Sequence, residues 1–339
     1  MSSQNTIATL PPDEPLELLL VRTDAQRLAH RLPQRASPLR LVELQSDGAV
    51  HLRGRELAPS EFRPHAAWLS LEVFTQGLLE RFVSLLDGAA GLHWLHTVHA
   101  GLDLPVYARL HSRKVRISRS HAQAPAMAEF VLAHVLAVFQ EHERIRAAQL
   151  EQRWMPHPFR ELAASRWLVV GLGHAGLAIA RRARACGAVI AGITRRPMHD
   201  PVFELVVPPG RMVAELPRSD VVVLACPLTN ETRGLVGRPF LAAMKEDAIL
   251  VNIARGGLVD EAALLEALDA GRPARAILDV TQTEPLPAEH PLWRHERVRL
   301  TAHNAYAGSG TPPRNDDLFI ENLRRYLAHE RLLHEVTAI

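Results

Sequence analysis

The chain is short of three things: cysteine, long apolar runs and net charge. It has 2 cysteines in 339 residues, Cys186 and Cys226, which excludes a disulfide framework and makes a reducing compartment, the cytoplasm, the expected location. No apolar run approaches the roughly 18 residues of a membrane span, and the start, MSSQNTIATLPPDEP, lacks the pattern of a signal peptide. A formal net charge of +2 predicts neither a nucleic-acid nor a membrane partner.

What is present is typical of an α/β protein. The length allows two domains, and 47% apolar with 22% charged residues is ordinary for a globular enzyme. A first block has strand candidates at 16–21, 39–44, 66–71 and 92–97, with a helical pattern over 72–88. A long helix is predicted over about 124–153, where it joins the first block to a second.

The second block alternates short β-branched runs with helical patterns. This alternation predicts a parallel, doubly wound sheet. The strand candidates are 167–171, 188–193, 204–207, 220–225, 248–253, 275–280 and 298–301. A final helix is predicted within 309–333, and it could return to the first block.

The stretch VVGLGHAG joins a predicted strand to a predicted helix. Gly171, Gly173 and Gly176 have the G-x-G-x-x-G spacing, in which the glycines permit a tight turn, close approach of a pyrophosphate and close helix packing. His174 and Ala175 begin the helix, whose N-terminal N–H groups favour an anion. The strand–turn–helix context favours a dinucleotide site over a glycine turn without a ligand.

The next strand ends in Thr194, Arg195 and Arg196, where an acidic residue would select NAD. Threonine removes the repulsion of a 2′-phosphate, and arginine binds phosphate in a bidentate manner. The alternative is a pair of solvated arginines on a loop. We therefore expect NADP(H) as the preferred cofactor, with NAD(H) possible.

Three chemically capable residues follow three late strands. Arg255 comes after AILVNI, Glu284 after AILDV and His303 after VRLT. In a parallel sheet these positions share the carboxyl edge with the glycine turn. A protonated histidine can deliver a proton to a carbonyl oxygen, a carboxylate can hold that histidine charged, and an arginine can bind a substrate carboxylate. The pattern favours reduction of a carbonyl group.

Several long motifs, in order, resemble the D-isomer-specific 2-hydroxyacid dehydrogenase family. They are LHWLHTVHAGLDLP, AEFVLAHVLA, VVGLGHAG, SDVVVLACPLTNETRGLV, MKEDAILVNIARGGLVDEAALLEAL, AILDVTQTEPLPAEHPLW and LTAHNA. The resemblance is strong over about 92–308 and weak before it. It implies that Arg255, Glu284 and His303 form the catalytic set.

The same resemblance implies further site residues. Asp279 is expected to hold the nicotinamide amide, and the backbone N–H groups of Ala100 and Gly101 are expected to bind the substrate carboxylate together with Arg255 and His303. Other residues expected to line the cofactor are Cys226, Pro227, Thr232 and Ile253.

The resemblance also implies the architecture. Residues 1–120 and 306–339 are expected to form a flavodoxin-like substrate domain, and 121–305 a Rossmann domain inserted into it and joining a homodimer. The TRRP stretch resembles members that reduce glyoxylate or hydroxypyruvate with NADPH. Alternatives are another substrate, such as phosphite or D-lactate, and a nucleotide-sensing protein similar to corepressors of this fold.

Some features have simpler interpretations. The spacing of His93, His96 and His99 points them to alternate faces of a strand, so no metal site is expected. The basic run 111–121 is interpreted as a solvated edge rather than a nucleic-acid site. Trp154 is expected to pack in the core or a hinge, and the alternative is that it faces a partner.

Overall fold

The protein is described here by a computed structural model, which describes residues 15–33 and 39–337. Two compact units are present. The first unit runs to residue 122 and resumes at residue 310, and the second unit spans 123–309. Each unit contains one sheet with helices on both faces, so the α/β class and the insertion of one domain into the other are confirmed.

The first unit has a seven-stranded sheet with the order β4-β3-β2-β1-β5-β6-β7. Its strands are β1 (Leu16–Val21), β2 (Leu39–Leu44), β3 (Val50–Leu52), β4 (Arg55–Glu56), β5 (Ala66–Leu69), β6 (Trp94–Thr97) and β7 (Arg116–Arg119).

The second unit also has a seven-stranded sheet, with the order β10-β9-β8-β11-β12-β13-β14. Its strands are β8 (Arg166–Val170), β9 (Val189–Ile193), β10 (Leu205–Val207), β11 (Val221–Leu224), β12 (Ile249–Asn252), β13 (Arg275–Leu278) and β14 (Val298–Leu300).

The helices connect these strands, and in the described ranges none is long and apolar enough to cross a membrane. They are α1 (Arg22–Leu28), α2 (Leu71–Thr75), α3 (Leu79–Gly88), α4 (Pro105–Ser112), α5 (Ala124–Phe139), α6 (His142–Leu150), α7 (His174–Ala185), α8 (Arg238–Ala243), α9 (Glu261–Asp269) and α10 (Thr311–Leu327).

The first sheet is parallel from β2 through β1, β5 and β6 to β7, and β3 and β4 add an antiparallel extension that the sequence did not predict. Strands β2, β3 and β4 pair antiparallel, whereas β1 pairs parallel with β2 and β5. Only residues 45–49 separate β2 from β3, which is too short for the crossover that a parallel pair needs. Gly48, with φ 86°, makes the turn possible.

The second sheet is parallel throughout, as predicted. Strand order reverses at β8, which lies between β9 and β11. Ligands of open α/β sheets bind at the carboxyl edge beside such a reversal. The glycine turn follows β8 and therefore lies at this point.

Two predicted helices are each interrupted. The helix expected over 124–153 is two helices, α5 and α6, because Glu141 has a left-handed backbone with φ 51°. The helix expected over 72–88 is interrupted where Gly77 has φ 69°. Trp154 is 95% exposed, so its predicted burial is wrong; the segment after α6 carries it into solvent, and apolar character alone does not determine burial.

Both faces of each sheet are buried. In β1, Leu19 and Val21 pack against α2, α3 and α4, while the alternate residues Leu18 and Leu20 pack against α1 and α10. On that second face Phe319 of α10 stacks on Trp68 with ring centroids 4.2 Å apart. The final helix is thus part of the first unit's core, where each fully buried leucine contributes about 1.5–3 kcal/mol.

Candidate active site

The glycine turn is shaped by close backbone contacts. Gly171 has φ 99°, and a Cβ placed on it would lie 2.6 Å from the backbone of Cys226. A Cβ on Gly176 would lie 2.0 Å from the carbonyl oxygen of Gly171. A Cβ on Gly173 would meet nothing within 4 Å. Two of these glycines therefore permit packing, and the middle one leaves open space above its backbone.

The start of α7 fits an anion. Gly173 is the N-cap residue and has no side chain to accept from the first N–H groups, which belong to His174, Ala175 and the residues after them. Those N–H groups and the helix dipole favour negative charge. The open cradle and the uncapped helix start together fit the pyrophosphate of a dinucleotide.

The loop after β9 presents two arginines. Arg195 and Arg196 are both exposed, and the N–H of Arg196 donates to Thr194 Oγ1 at 3.3 Å. The charge of Arg195 acts on the loop after β11: it adds to the hydrogen bond from Thr229 in lowering the pKa of Glu231. The guanidinium of Arg195 therefore lies near the loop that faces the glycine turn.

The loop after β11 is closed by internal hydrogen bonds. Thr232 Oγ1 accepts from the N–H of Thr229 at 2.7 Å and donates to the carbonyl of Pro227 at 2.8 Å. Burial raises the pKa of the Cys226 thiol to about 11, an effect that a backbone hydrogen bond and Arg195 partly offset. A thiol held protonated in this way can line a site but is a poor nucleophile.

Arg255 is held by a buried residue that the sequence motifs did not single out. Asn252 is 0% exposed; its Nδ2 donates to the carbonyl of Arg255 at 3.0 Å, and its Oδ1 accepts from the N–H of Ala254 at 3.1 Å. Ile253, expected to line the cofactor, is 2% exposed within the apolar core. In the sequence, Asn252 is a polar residue inside an apolar strand, and this pattern could have indicated its structural role.

The loops carrying Arg255 and Glu284 touch. A Cβ on Gly256 would lie 2.0 Å from the carbonyl of Thr281, so only glycine permits this approach. Across the same contact Gln282 donates through its backbone N–H to Glu261 Oε1 and through Nε2 to the carbonyl of Val259, each at 2.6 Å. The structure thereby brings together two of the three predicted loops.

The third loop is joined through the predicted histidine. His303 Nδ1 lies 2.8 Å from Glu284 Oε2, and Glu284 Oε1 accepts from the N–H of Thr281 at 3.0 Å. Both side chains remain reachable, with 42% of His303 and 38% of Glu284 exposed. A carboxylate accepts from Nδ1–H, so Nε2 is the nitrogen of His303 that can exchange a proton with a ligand.

Asp279 anchors the histidine loop. It is 1% exposed, and Oδ1 accepts from Thr301 Oγ1 and from the N–H of Asn304, both at 2.7 Å. Oδ2 accepts from the N–H of Ala305 at 3.0 Å, and the N–H of His303 donates to the Asp279 carbonyl at 2.7 Å. These bonds hold His303 at φ 54°, a conformation unusual for a residue with a side chain. The cofactor role expected of Asp279 stays a prediction.

The predicted substrate loop belongs to the first unit. Ala100 and Gly101 follow β6 and are half-buried. Thr97 Oγ1 accepts from the N–H of His99 at 3.2 Å, and Tyr107 Oη lies 2.8 Å from Thr97 Oγ1 and 2.7 Å from His99 Nδ1. These bonds fix the start of the loop.

The fold and these residues define a class of protein. An inserted parallel domain carries a dinucleotide-binding turn at its strand reversal, and a paired histidine and glutamate on the same sheet edge. This is the arrangement of an oxidoreductase that uses a nicotinamide dinucleotide.

The chain belongs to the D-isomer specific 2-hydroxyacid dehydrogenase family, whose NAD binding domain matches residues 132–305. The family resemblance seen in the sequence is thus confirmed, and with it an NAD(P)-dependent oxidoreductase family.

Named relatives agree with this family. The glyoxylate reductase of Thermofilum pendens is 32% identical over 256 residues, which are 73% of this chain and 75% of that protein. Glyoxylate/hydroxypyruvate reductase A of Serratia proteamaculans is 32% identical over 182 residues, or 54% of this chain and only 58% of that protein. A D-isomer specific 2-hydroxyacid dehydrogenase from Xanthobacter autotrophicus Py2, solved in complex with NADPH and MES, has a TM-score of 0.72 and 30% identity, covering 95% of this chain and 98% of that one.

Proposed function

We propose that the protein is an NADPH-dependent reductase that converts a small 2-oxo acid, of the glyoxylate or hydroxypyruvate type, to the D-2-hydroxy acid. The observation that carries the proposal is the 2.8 Å contact between His303 Nδ1 and Glu284 Oε2 at the sheet edge that also bears the glycine turn. Two relatives are named as glyoxylate reductases, one of them also for hydroxypyruvate, which supports the same substrate class.

His303 is assigned the proton transfer. Glu284 accepts from Nδ1–H and so fixes the orientation of the imidazole, which leaves Nε2 as the nitrogen that passes a proton to the carbonyl oxygen during reduction. In the reverse direction Nε2 accepts the hydroxyl proton. The dinucleotide, when bound, supplies or accepts the hydride.

Arg255 is assigned the substrate carboxylate. Its guanidinium suits a planar anion, and the contacts of Asn252 with the adjacent backbone fix the loop on which it stands. From the first unit, the N–H groups of Ala100 and Gly101 are assigned to the same carboxylate. Binding of the acid group orients the carbonyl for proton transfer from His303.

NADP(H) is assigned as the preferred cofactor. The turn at Gly171, Gly173 and Gly176 is suited to the pyrophosphate, and the exposed Arg195 and Arg196 to a 2′-phosphate. The relative from Xanthobacter autotrophicus Py2 was solved with NADPH, which supports this assignment.

The test is a steady-state assay of the purified protein with glyoxylate, hydroxypyruvate and pyruvate, each with NADPH and with NADH. We expect turnover of glyoxylate or hydroxypyruvate, and a higher kcat/KM with NADPH than with NADH. Binding of NADPH without turnover of any of these acids would contradict the proposal and favour another substrate, such as phosphite, or a nucleotide-sensing role.

We further propose that two copies associate through the second unit. Four large apolar side chains of its α6 region are exposed: Ile145 by 43%, Leu150 by 69%, Trp154 by 95% and Phe159 by 55%. Such a concentration on one short segment is typical of an interface. Light scattering of the wild type and of Trp154→Ser tests this: we expect a dimer and a shift toward monomer, and a monomeric wild type would reject it.

A further inference from the structure

The edge strand β7 ends in an arginine that contacts the predicted substrate loop. Arg119 Nη1 donates to the carbonyl oxygen of Ala100 at 3.0 Å, across the parallel pair in which Arg119 lies beside Thr97. The side chain of Arg119 is half-buried. An arginine placed there by chance would more often extend into solvent, because its charge is strongly hydrated.

Within the described residues, Arg119 forms no salt bridge. Among the residues that the structure describes, no Asp or Glu oxygen lies within 4.0 Å of its guanidinium. The surroundings are basic instead: His334, whose carbonyl accepts from the Arg119 N–H at 3.2 Å, has its pKa lowered first by burial and then by this charge. A partly buried cation without a counter-ion attracts an anionic ligand.

The contact also orients a backbone donor. The carbonyl of Ala100 and the N–H of Gly101 belong to one planar trans peptide and point in opposite directions. Directing the carbonyl toward Arg119 therefore directs the Gly101 N–H to the other side of the loop. The charged donor also polarises the peptide group, which makes that N–H a stronger donor.

We propose that Arg119 is a positioning residue for the substrate carboxylate: it fixes the peptide between Ala100 and Gly101 so that the Gly101 N–H faces the acid group, and it adds positive charge to the loop. This inference rests on the proposed function, because it uses the substrate loop assigned there. Arg119 acts through the loop and need not contact the substrate.

The chain offers a matched control in the same unit. Arg113 also donates to carbonyl groups, those of Leu86, Asp87 and Ala89, but it precedes β7 and so lies at the amino edge of the sheet. Losing Arg113 removes a similar set of bonds without reaching the 98–101 loop. The Arg113→Met variant therefore measures the purely structural cost of such a contact.

The experiment compares KM and kcat for glyoxylate in Arg119→Met, Arg119→Gln and Arg119→Lys. Since a hydrogen bond from a charged group is worth a factor of about 10 to 100, we expect KM to rise by that factor in the Met variant, while kcat and the Kd for NADPH change less than about twofold. The KM of the Gln variant, which keeps a donor without charge, should lie between those of the Met and Lys variants. The Lys variant should have a KM close to that of the wild type. Arg113→Met should leave KM unchanged.

Two results would overturn the inference. One is a KM in Arg119→Met within about twofold of the wild type; the other is a fall in kcat and thermal stability that Arg113→Met reproduces. Titration of the NADPH complex with oxamate, a carboxylate probe that is not reduced, gives the same comparison without turnover. If the protein turns over none of the acids but the Arg119 variants bind oxamate more weakly than the wild type, the reductase function is rejected and the role of Arg119 is kept. If the protein reduces glyoxylate but the Arg119 variants bind oxamate as tightly as the wild type, only the role of Arg119 is rejected.

Discussion

The two units have sheets of equal size and use their carboxyl edges differently. In the first unit, polar side chains at this edge bind one another: Ser70 Oγ lies 2.5 Å from Asp24 Oδ2, and Ser120 Oγ lies 2.5 Å from Asn315 Oδ1 of α10. In the second unit the edge carries the open glycine cradle and the reachable pair of His303 and Glu284. The same architecture therefore joins these polar side chains to one another in the first unit, where we propose a ligand role only for the 98–101 loop, and leaves reachable side chains in the second.

This difference predicts which property of the protein a substitution at each edge should affect. Changes at the second unit's edge should affect turnover and cofactor choice, whereas changes at the first unit's edge should affect stability or the affinity for the acid. Two experiments examine this division, and a third compares one buried aspartate from each unit; they follow in order of the expected size of effect.

The largest effect is expected from His303→Ala. Removing the group that exchanges the proton should lower kcat by about 10²- to 10⁴-fold and leave the Kd for NADPH nearly unchanged. The measurements are steady-state kinetics and NADPH fluorescence titration. His295→Ala is the control, because His295 also pairs with a carboxylate, at 3.4 Å from Asp269, but precedes β14 at the amino edge. Equal kcat values for His303→Ala and His295→Ala would contradict proton transfer by His303.

The second effect concerns cofactor choice. Replacing Arg195 or Arg196 by serine should reduce the ratio of kcat/KM with NADPH to that with NADH, by about 10- to 150-fold for each arginine that pairs with the phosphate. The change should arise in the KM for NADPH. Arg218→Ser, an exposed arginine before β11, is the control. An unchanged ratio in the double variant would mean that both arginines are solvated.

The smallest effect contrasts two buried aspartates. Burial alone would raise the pKa of Asp220, but the N–H of Arg166 with Lys245 and Arg160 outweigh it and hold the pKa below its usual range. Burial raises the pKa of Asp24, despite its contacts with Ser70 and Arg27. A lowered pKa gives stability that is lost as pH falls, and a raised pKa gives stability that is lost as pH rises.

Thermal unfolding of Asp220→Asn and Asp24→Asn from pH 7 to pH 3.5 measures this contrast. For Asp220→Asn at pH 7, Tm should fall by several degrees relative to the wild type, because the charged hydrogen bonds of Asp220 stabilise the fold by about 2 kcal/mol. The difference in Tm should shrink below about pH 4, where the wild-type carboxylate is itself protonated. For Asp24→Asn the loss should instead grow as the pH falls. Parallel curves for the two variants would show that the two aspartates do not differ in this way.

Sequence patterns predicted the second unit well and the first unit only in part. Runs such as Val221–Leu224 and Ile249–Asn252 are buried on both faces, and their apolar, β-branched composition indicates a parallel strand directly. The strands missed in the first unit, β3, β4 and β7, are short and partly polar, as in Arg116–Arg119. The basic run around β7 was interpreted as a solvated edge. Strand β7 is the last strand of its sheet, but residues 334–336 lie against it, and Ile117 and Ser118 are buried.

The sequence by itself determined the family, the alternation of strands and helices, and which residues stand at strand ends, because these depend on local spacing and composition. Only the tertiary structure decided which of those ends meet. The 2.8 Å contact of His303 with Glu284, the anchoring of that loop by Asp279 and the hold of Arg119 on Ala100 join residues up to 26 positions apart. Such contacts depend on strand order and loop packing in three dimensions, which no local pattern encodes.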